Sequence, residues 1–289
     1  MRSLQYISGT NSSVTFDDSF LGITSLEGLD IAPVNIQEQK SPFQDGTIPI
    51  DQLFSPREIV MGGTIGVGGD VGAIYTQRRN MLAVINPKLG PGMLIYTNDF
   101  GQWAILNVIP EGPVFKNRNA NDGPQQFQVT FYCHDPYLYD VSYTTTNLQT
   151  AVSNLVFPIT FTAGGIAFSY FTGAPKTVYN LGDYSTPVIL SMYGPATNPK
   201  LLNVTTGEYV KVLTTLNAGD VIQVNTTNGI DTVLFTPSGG SQSNVINLLD
   251  LGSTFFQLGI GPVQLQYLDD TLSSSKNCIV AWRNRYIGA

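Results

Sequence analysis

Short runs in which apolar and polar residues alternate fill most of the chain. Successive side chains on a strand point to opposite faces, so each such run reads as a β-strand with one buried face. In the first half the clearest is PQQFQVTFYCHDP, where Phe127, Val129, Phe131 and Cys133 alternate with Gln128, Thr130, Tyr132 and His134. REIVMGGTIG reads as a strand ending in glycines, and VTFDDSFLGI as a run giving way to turn residues. LIYTNDFGQWAILNVIP, residues 94–110, reads as two strands around a turn at Asn98 to Gly101.

One segment keeps a different period. In DVGAIYTQRRNMLAVINP, Val71, Ile74, Tyr75, Arg78, Met81, Leu82 and Ile85 recur at helical spacing. Asp70 is placed to cap the N-terminus, and Pro87 stops the chain beyond the last apolar position. This predicts the main helix of the protein.

After Asp140 the chain turns to VSYTTTNLQTAVSN, rich in Thr, Ser and Asn and free of charge. This shift sets an expected boundary, with domains at 1–142 and 143–289. Beyond it, TPVILSMYG, EYVKV, DVIQVN, DTVLFT, STFFQLGIGPVQLQYLD and NCIVAWRNRYIGA are β runs split by Gly, Asn, Asp and Ser, the pattern of an antiparallel sandwich. Val263, Leu265 and Tyr267 alternate with Gln264 and Gln266, a strand with one wet face. The expected class is all-β: a sandwich-like first domain with one helix, then a second β-sandwich. The boundary gives the last strand, ending at Ala289, to the second domain; its return to the first is an open alternative.

Composition narrows the function classes. Charged residues are 12% of the chain, against about 25% in typical soluble domains, and polarity comes instead from Ser, Thr, Asn and Gln. Five Glu stand against sixteen Asp, a balance that suits turns better than exposed helices. Net charge is −7 and no basic run occurs, which argues against phosphate-driven nucleic-acid binding and against an anionic membrane surface. The opening MRSLQYISGT lacks the apolar core of a secretory signal, and no apolar run approaches the ~18 residues of a membrane span, so synthesis in a cytosol is expected. Cys133 and Cys278 match no CxxC spacing and read as buried thiols.

The chemistry-bearing stretches read as structural. His134, the only histidine, follows Cys133 on one strand, so the two side chains diverge and cannot form a thiolate–imidazole pair. One His with two distant Cys falls short of a zinc site, and no cofactor or metal is expected. The glycine-rich GGTIGVGGDVGAIY fails the dinucleotide spacing, since from Gly66 and Gly68 the third glycine falls at Val71; it reads as a flexible loop entering the helix. The adjacent pairs Asp17–Asp18 and Asp269–Asp270 read as turns, although sequence spacing alone leaves a two-carboxylate glycosidase open. Trp103, Trp282 and the many Tyr leave a sugar-stacking platform as a further alternative, with Trp282 and Tyr267 its best residues.

Taken in order, the segments resemble a family. DGTIPIDQLFSPREIVMGGTIG, the helix with RRNMLAVINP, GMLIYTNDFGQW, and QFQVTFYCHDPYLYD are similar to the N-terminal domain of phage distal tail (Dit) proteins of long non-contractile tails. GDYSTPVILSMYG, NPKLLNVTTGEYVKV, LNAGDVIQVNT, FFQLGIGPVQLQY and CIVAWRNRYIGA follow the galectin-like C-terminal sandwich of the same family. The resemblance implies a non-enzymatic hub at the tail tip: a homohexameric ring whose N-terminal domains surround a channel that DNA crosses without specific binding. The tail-tube protein and the tail-tip protein are the implied neighbours, receptor-binding proteins are optional ones, and the virion is the implied location. A ring needs one patch to meet a different patch on the next subunit. Arg57, Arg78 and Arg79 are the expected polar contacts there, with a solvated surface charge as the alternative for each. Two rival readings are a carbohydrate-binding module that contacts the host and a β-sandwich glycosidase. A tail-tube protein is a nearer rival, disfavoured by the second sandwich.

Overall fold

The computed structural model describes residues 2–17, 19–66, 70–116, 123–153, 169–270 and 277–289. The chain packs into two compact units, one of residues 1–141 with 285–289 and one of residues 142–284. The last five residues, which the sequence boundary placed in the second domain, thus pack with the first unit.

The first unit is built on one large antiparallel sheet. Its strands are β1 (Ser3–Ile7), β2 (Ser13–Phe16), β3 (Leu21–Glu27), β4 (Val34–Gln39), β5 (Ile48–Phe54) and β6 (Arg57–Ile65). After helix α1 (Val71–Val84) come β7 (Gly92–Asn98), β8 (Gly101–Phe115), β9 (Gln125–Cys133) and β10 (Leu138–Asp140). The main sheet runs β2-β1-β7-β8-β9-β6-β3; β10 pairs with β8 and with the C-terminal strand Arg285–Tyr286. Among the described residues, strands β4 and β5 pair only with each other.

The alternation read along β9 is realised: Phe127, Val129, Phe131 and Cys133 are buried, while His134 is exposed. Along β6, which pairs with β9 from Arg57 opposite Cys133 to Ile65 opposite Gln125, the inward residues are Arg57, Ile59, Met61, Gly63 and Ile65. Gly63 is required by close packing, since a Cβ there would lie 2.5 Å from the Phe127 ring. Leu4, Tyr6, Phe16, Leu94, Ile105 and Val108 complete the core with Ile74 and Met81 of the helix.

The helix begins where the sequence predicts. The Asp70 carboxylate accepts from the Gly72 and Ala73 amides, at 2.9 and 3.3 Å, filling two of the donors a helix start leaves open. Its buried side is narrower than its apolar spacing suggests. Ile74, Met81 and the following Ile85 are buried, whereas Val71, Tyr75 and Leu82 face solvent.

In the second unit, one sheet runs Thr144–Asn147, Asn277–Trp282, Val188–Tyr193, Val221–Asn225, Thr232–Thr236, Ser243–Asn244. A second runs Lys176–Asn180, Gly261–Leu268, Lys200–Asn203, Tyr209–Lys211. A shared apolar core that includes Leu190, Met192, Val224, Leu265, Val280 and Trp282 makes this pair of sheets a β-sandwich. The run STFFQLGIGPVQLQYLD forms a strand only from Gly261; before it, Leu258 makes an isolated bridge to Thr186. Among the described residues no helix is long and apolar enough to cross a membrane.

Candidate subunit interface

The groups with chemical potential are used structurally. Cys133 is buried, and burial pushes its thiol up to about 12, so it holds no thiolate at neutral pH. The Cys278 thiol is also raised by burial. His134 lies edge-on against Tyr132, 4.9 Å between ring centres. Among the described residues no cluster of three His, Cys, Asp or Glu is placed to hold a metal. Asp17 closes a turn on the Ser19 amide at 2.8 Å. Asp270 accepts from Asn198 Nδ2 at 2.8 Å and lies 3.9 Å from Lys211 Nζ. Asp18 and the centre of the glycine-rich loop, residues 67–69, lie outside the described residues. Trp282 and Tyr267, the residues a sugar platform needs at the surface, are 2% and 3% exposed in the sandwich core. Trp103 is half-buried and stacks on Tyr96 at 6.1 Å.

Arg57 corrects an expectation. Expected as a surface contact, it is 1% exposed. Its Nε donates to the Pro136 carbonyl at 2.8 Å, and Nη1 to those of Gly28 and Asp30 at 3.1 and 3.0 Å. Nη2 donates to the Ile287 carbonyl at 2.9 Å. Burial lowers its pKa, opposed by Cys133, Asp135 and Asp30, yet an arginine stays charged. The planar fork therefore ties three distant pieces of chain: the approach to β4, the exit from β9, and the C-terminus. The sequence held a sign of this, because Arg57 is in phase with Ile59, Met61 and Ile65 on the inward face.

The C-terminal strand is held by a second tie. Arg285 is buried over the rings of Tyr137 and Tyr139, and its Nε donates to Tyr139 Oη at 3.0 Å. Tyr139 Oη donates to Asp135 Oδ2 at 2.6 Å, and Tyr286 Oη to Asp140 Oδ1 at 3.1 Å.

These ties anchor the feature that stands out on the first unit, the β4–β5 hairpin. Every residue of β4 and β5 is exposed except Phe54, which is intermediate. The hairpin still carries Val34, Ile36, Ile48, Ile50 and Leu53, and Phe43 at its tip, all exposed. Its base is fixed: the Ser55 amide donates to the Pro33 carbonyl at 2.7 Å, and the Phe54 ring meets Tyr137 edge-on at 5.9 Å. Beside the base lies a groove of about 430 Å³ lined by Ile31, Pro33, Pro56, Glu58 and Tyr132 among others. A lone two-stranded hairpin is marginal in water, and one with this much exposed apolar surface is the kind of element that a partner covers. The residue pattern predicts no strands here. IPIDQLF alternates, but Pro49 interrupts it, and VNIQEQ shows too little contrast to register.

Arg78 and Arg79 sit on α1. Arg78 is half-buried, its guanidinium 4.4 Å over the Phe115 ring and 5.3 Å from that of Tyr75, and 3.4 Å from Gln125 Oε1. Arg79 is exposed. Arg57 is thus separated from the other two: it belongs to the hairpin's foundation, they to the helix surface.

Two family models match the chain: the phage tail protein RIFT-related domain over residues 17–133, and the siphovirus-type tail component, C-terminal domain, over residues 181–286. No curated protein matches it. Among solved structures it is similar to the Dit protein of phage SPP1, described as a paradigm of the hub adsorption apparatus in phages infecting Gram-positive bacteria. That match has 13% identity, 99% coverage of both chains and a TM-score of 0.68. It is also similar to a chain of the phage p2 baseplate in its activated conformation with Ca, at 13% identity, 100% coverage of both chains and a TM-score of 0.58. The same baseplate activated with Sr gives a TM-score of 0.54 over 98% of both chains, again at 13% identity. At such identity these likenesses show a shared fold.

Proposed function

We propose, from the premise that this chain belongs to the siphovirus-type distal tail (Dit) protein family, that six copies close into a ring at the distal end of the tail tube. The chain is a phage tail hub protein and a structural component of the virion. What is proposed beyond that is its assembly and its neighbours. The hexamer joins the last tail-tube protein on one face to the tail-tip protein on the other. Its first units form the ring, and its second units support receptor-binding parts. The role is structural rather than enzymatic, the chain is made in the cytoplasm of the host, and DNA crosses the channel without specific contact.

The β4–β5 hairpin carries this reading. It is an apolar, sheet-edged arm with a base fixed to its unit and no cover from that unit among the described residues, the form that a subunit uses to grip a neighbour. Arg78 and Arg79 are proposed as polar contacts at the same interface. The net charge of −7 suits a channel that must not retain DNA.

The test is native mass spectrometry of the purified chain together with negative-stain images. A six-subunit mass and a ring with a central hole are expected. A species that stays monomeric at every concentration, alone and after mixing with purified tail-tube and tail-tip proteins, overturns the ring.

A further inference from the structure

Half of the apolar arc of α1 goes unused within its own chain. At about 100° per residue, Met81, Ile74 and Ile85 project on one side and are buried. Val71, Leu82 and Tyr75 continue the same arc into solvent, 42%, 45% and 59% exposed. Arg78 and Arg79 flank this strip. Over Val71–Val84 there are two Arg and no acidic residue, a charge of +2. The hairpin has the complementary make-up. Over residues 34–54 it carries Glu38, Asp45 and Asp51 against Lys40, a charge of −2.

The dimensions also agree. Fourteen helical residues span about 21 Å at 1.5 Å each, and the six and seven residues of β4 and β5 span about 20–23 Å. Both strips are exposed in the same protomer, so the hairpin does not cover the helix of its own chain.

We infer that the β4–β5 hairpin of one protomer lies along the exposed face of helix α1 of the next, an inference that rests on the ring reading above. Ile36 and Ile50 of the arm meet Val71, Tyr75 and Leu82, and Glu38, on the same face of β4 as Ile36, meets Arg78 and Arg79. Donor and acceptor are different patches on each subunit. Every subunit therefore gives once and receives once, the head-to-tail arrangement that a closed ring needs. Burial of the apolar strips supplies the affinity, and the opposed charges set register and orientation.

The experiment is native mass spectrometry of the full chain with single variants at the two strips. Ile50→Glu cripples the donor and Leu82→Glu the acceptor; both sites are exposed, and circular dichroism confirms that each variant folds. Each variant alone is expected to lose the six-subunit species. Mixed together they are expected to form a heterodimer and nothing larger, because the mixture holds one sound arm and one sound helix face. Arg79→Glu is expected to weaken the ring, and Glu38→Arg in the same chain to restore it at least in part. Full-yield rings from Leu82→Glu overturn the helix as acceptor while leaving the ring reading intact. Larger rings from the mixture overturn the head-to-tail pairing of these two strips. A wild-type chain that never assembles, with its tail neighbours or without, overturns the ring reading itself, and the docking falls with it.

Discussion

Replacing Arg57 by Met keeps most of the side chain's volume and removes its charge and its donors. Four hydrogen bonds to carbonyl oxygens are lost. A bond to a charged group contributes about 1.5–3 kcal/mol, so the gross loss is about 6–12 kcal/mol. Against this, the variant no longer desolvates a guanidinium, a cost of several kcal/mol. The expected net destabilisation of the first unit is about 3–5 kcal/mol, or a Tm lower by about 10 °C for a unit of this size. The loss should also be local. Hydrogen exchange read by mass spectrometry should rise in residues 28–33, at 136–138 and in 285–289, the three segments the fork ties together, and stay unchanged in residues 176–268. Calorimetry of the whole chain supplies the magnitude, because the two units unfold as separate transitions if their stabilities differ. Arg57→Lys should recover only part of the stability, since a single ammonium cannot reach four carbonyls spread around a planar fork. A Met variant within about 1 kcal/mol of wild type, or exchange that rises evenly over both units, would refute the account of Arg57 as a central tie.

Four further outcomes follow from the same structure. Asp70→Ala should cost about 1 kcal/mol in a denaturant titration of the first unit, because two amides at the start of α1 lose their acceptor; Asp70→Ser should restore most of it. Gly28→Ala should cost about 2–3 kcal/mol, since Gly28 sits at φ +91° and a Cβ there would lie 2.0 Å from the Glu58 carbonyl oxygen. Unfolding of the first unit should become easier in alkali: the Cys133 thiol is held neutral up to about 12 in the folded state, whereas the unfolded chain ionises from about pH 9. The unfolded state then binds fewer protons, so stability falls across that window by at most about 1.4 kcal/mol per pH unit for this one group. Cys133→Ala should flatten the slope in a pH series of denaturation midpoints. A thiol reagent at pH 8 should label neither cysteine until the protein unfolds.

Much of the fold was written in local pattern. Alternation alone identified β9 and put Cys133 inside and His134 outside, because strand geometry fixes side-chain direction residue by residue. Asp70 and the spacing from Ile74 to Ile85 located α1 for an equally local reason: a cap and a helical period need only near neighbours. The order of segments across both halves then carried the family resemblance that the two domain models establish.

What the local pattern left open depended on distant parts of the chain. Arg57 was legible as inward-facing from its phase with Ile59 and Met61, but not as tolerable there. A buried cation is acceptable only where acceptors converge, and these come from Gly28, Asp30, Pro136 and Ile287, as far as 230 residues away. The return of residues 285–289 to the first unit likewise rests on Arg285, Tyr286 and their partners around Tyr139. An apolar arc on α1 showed that seven positions shared one side, yet only the packing of the sheet decided which were buried and which left bare. The same holds for β4 and β5. Their apolar residues could equally have entered a core, and only the folded unit, whose main sheet is completed without them, leaves them on an arm. Sequence thus determined which elements form, because their geometry is set within a few residues. Tertiary structure decided which surfaces remain to be covered, because burial is settled by everything else that competes for the same core.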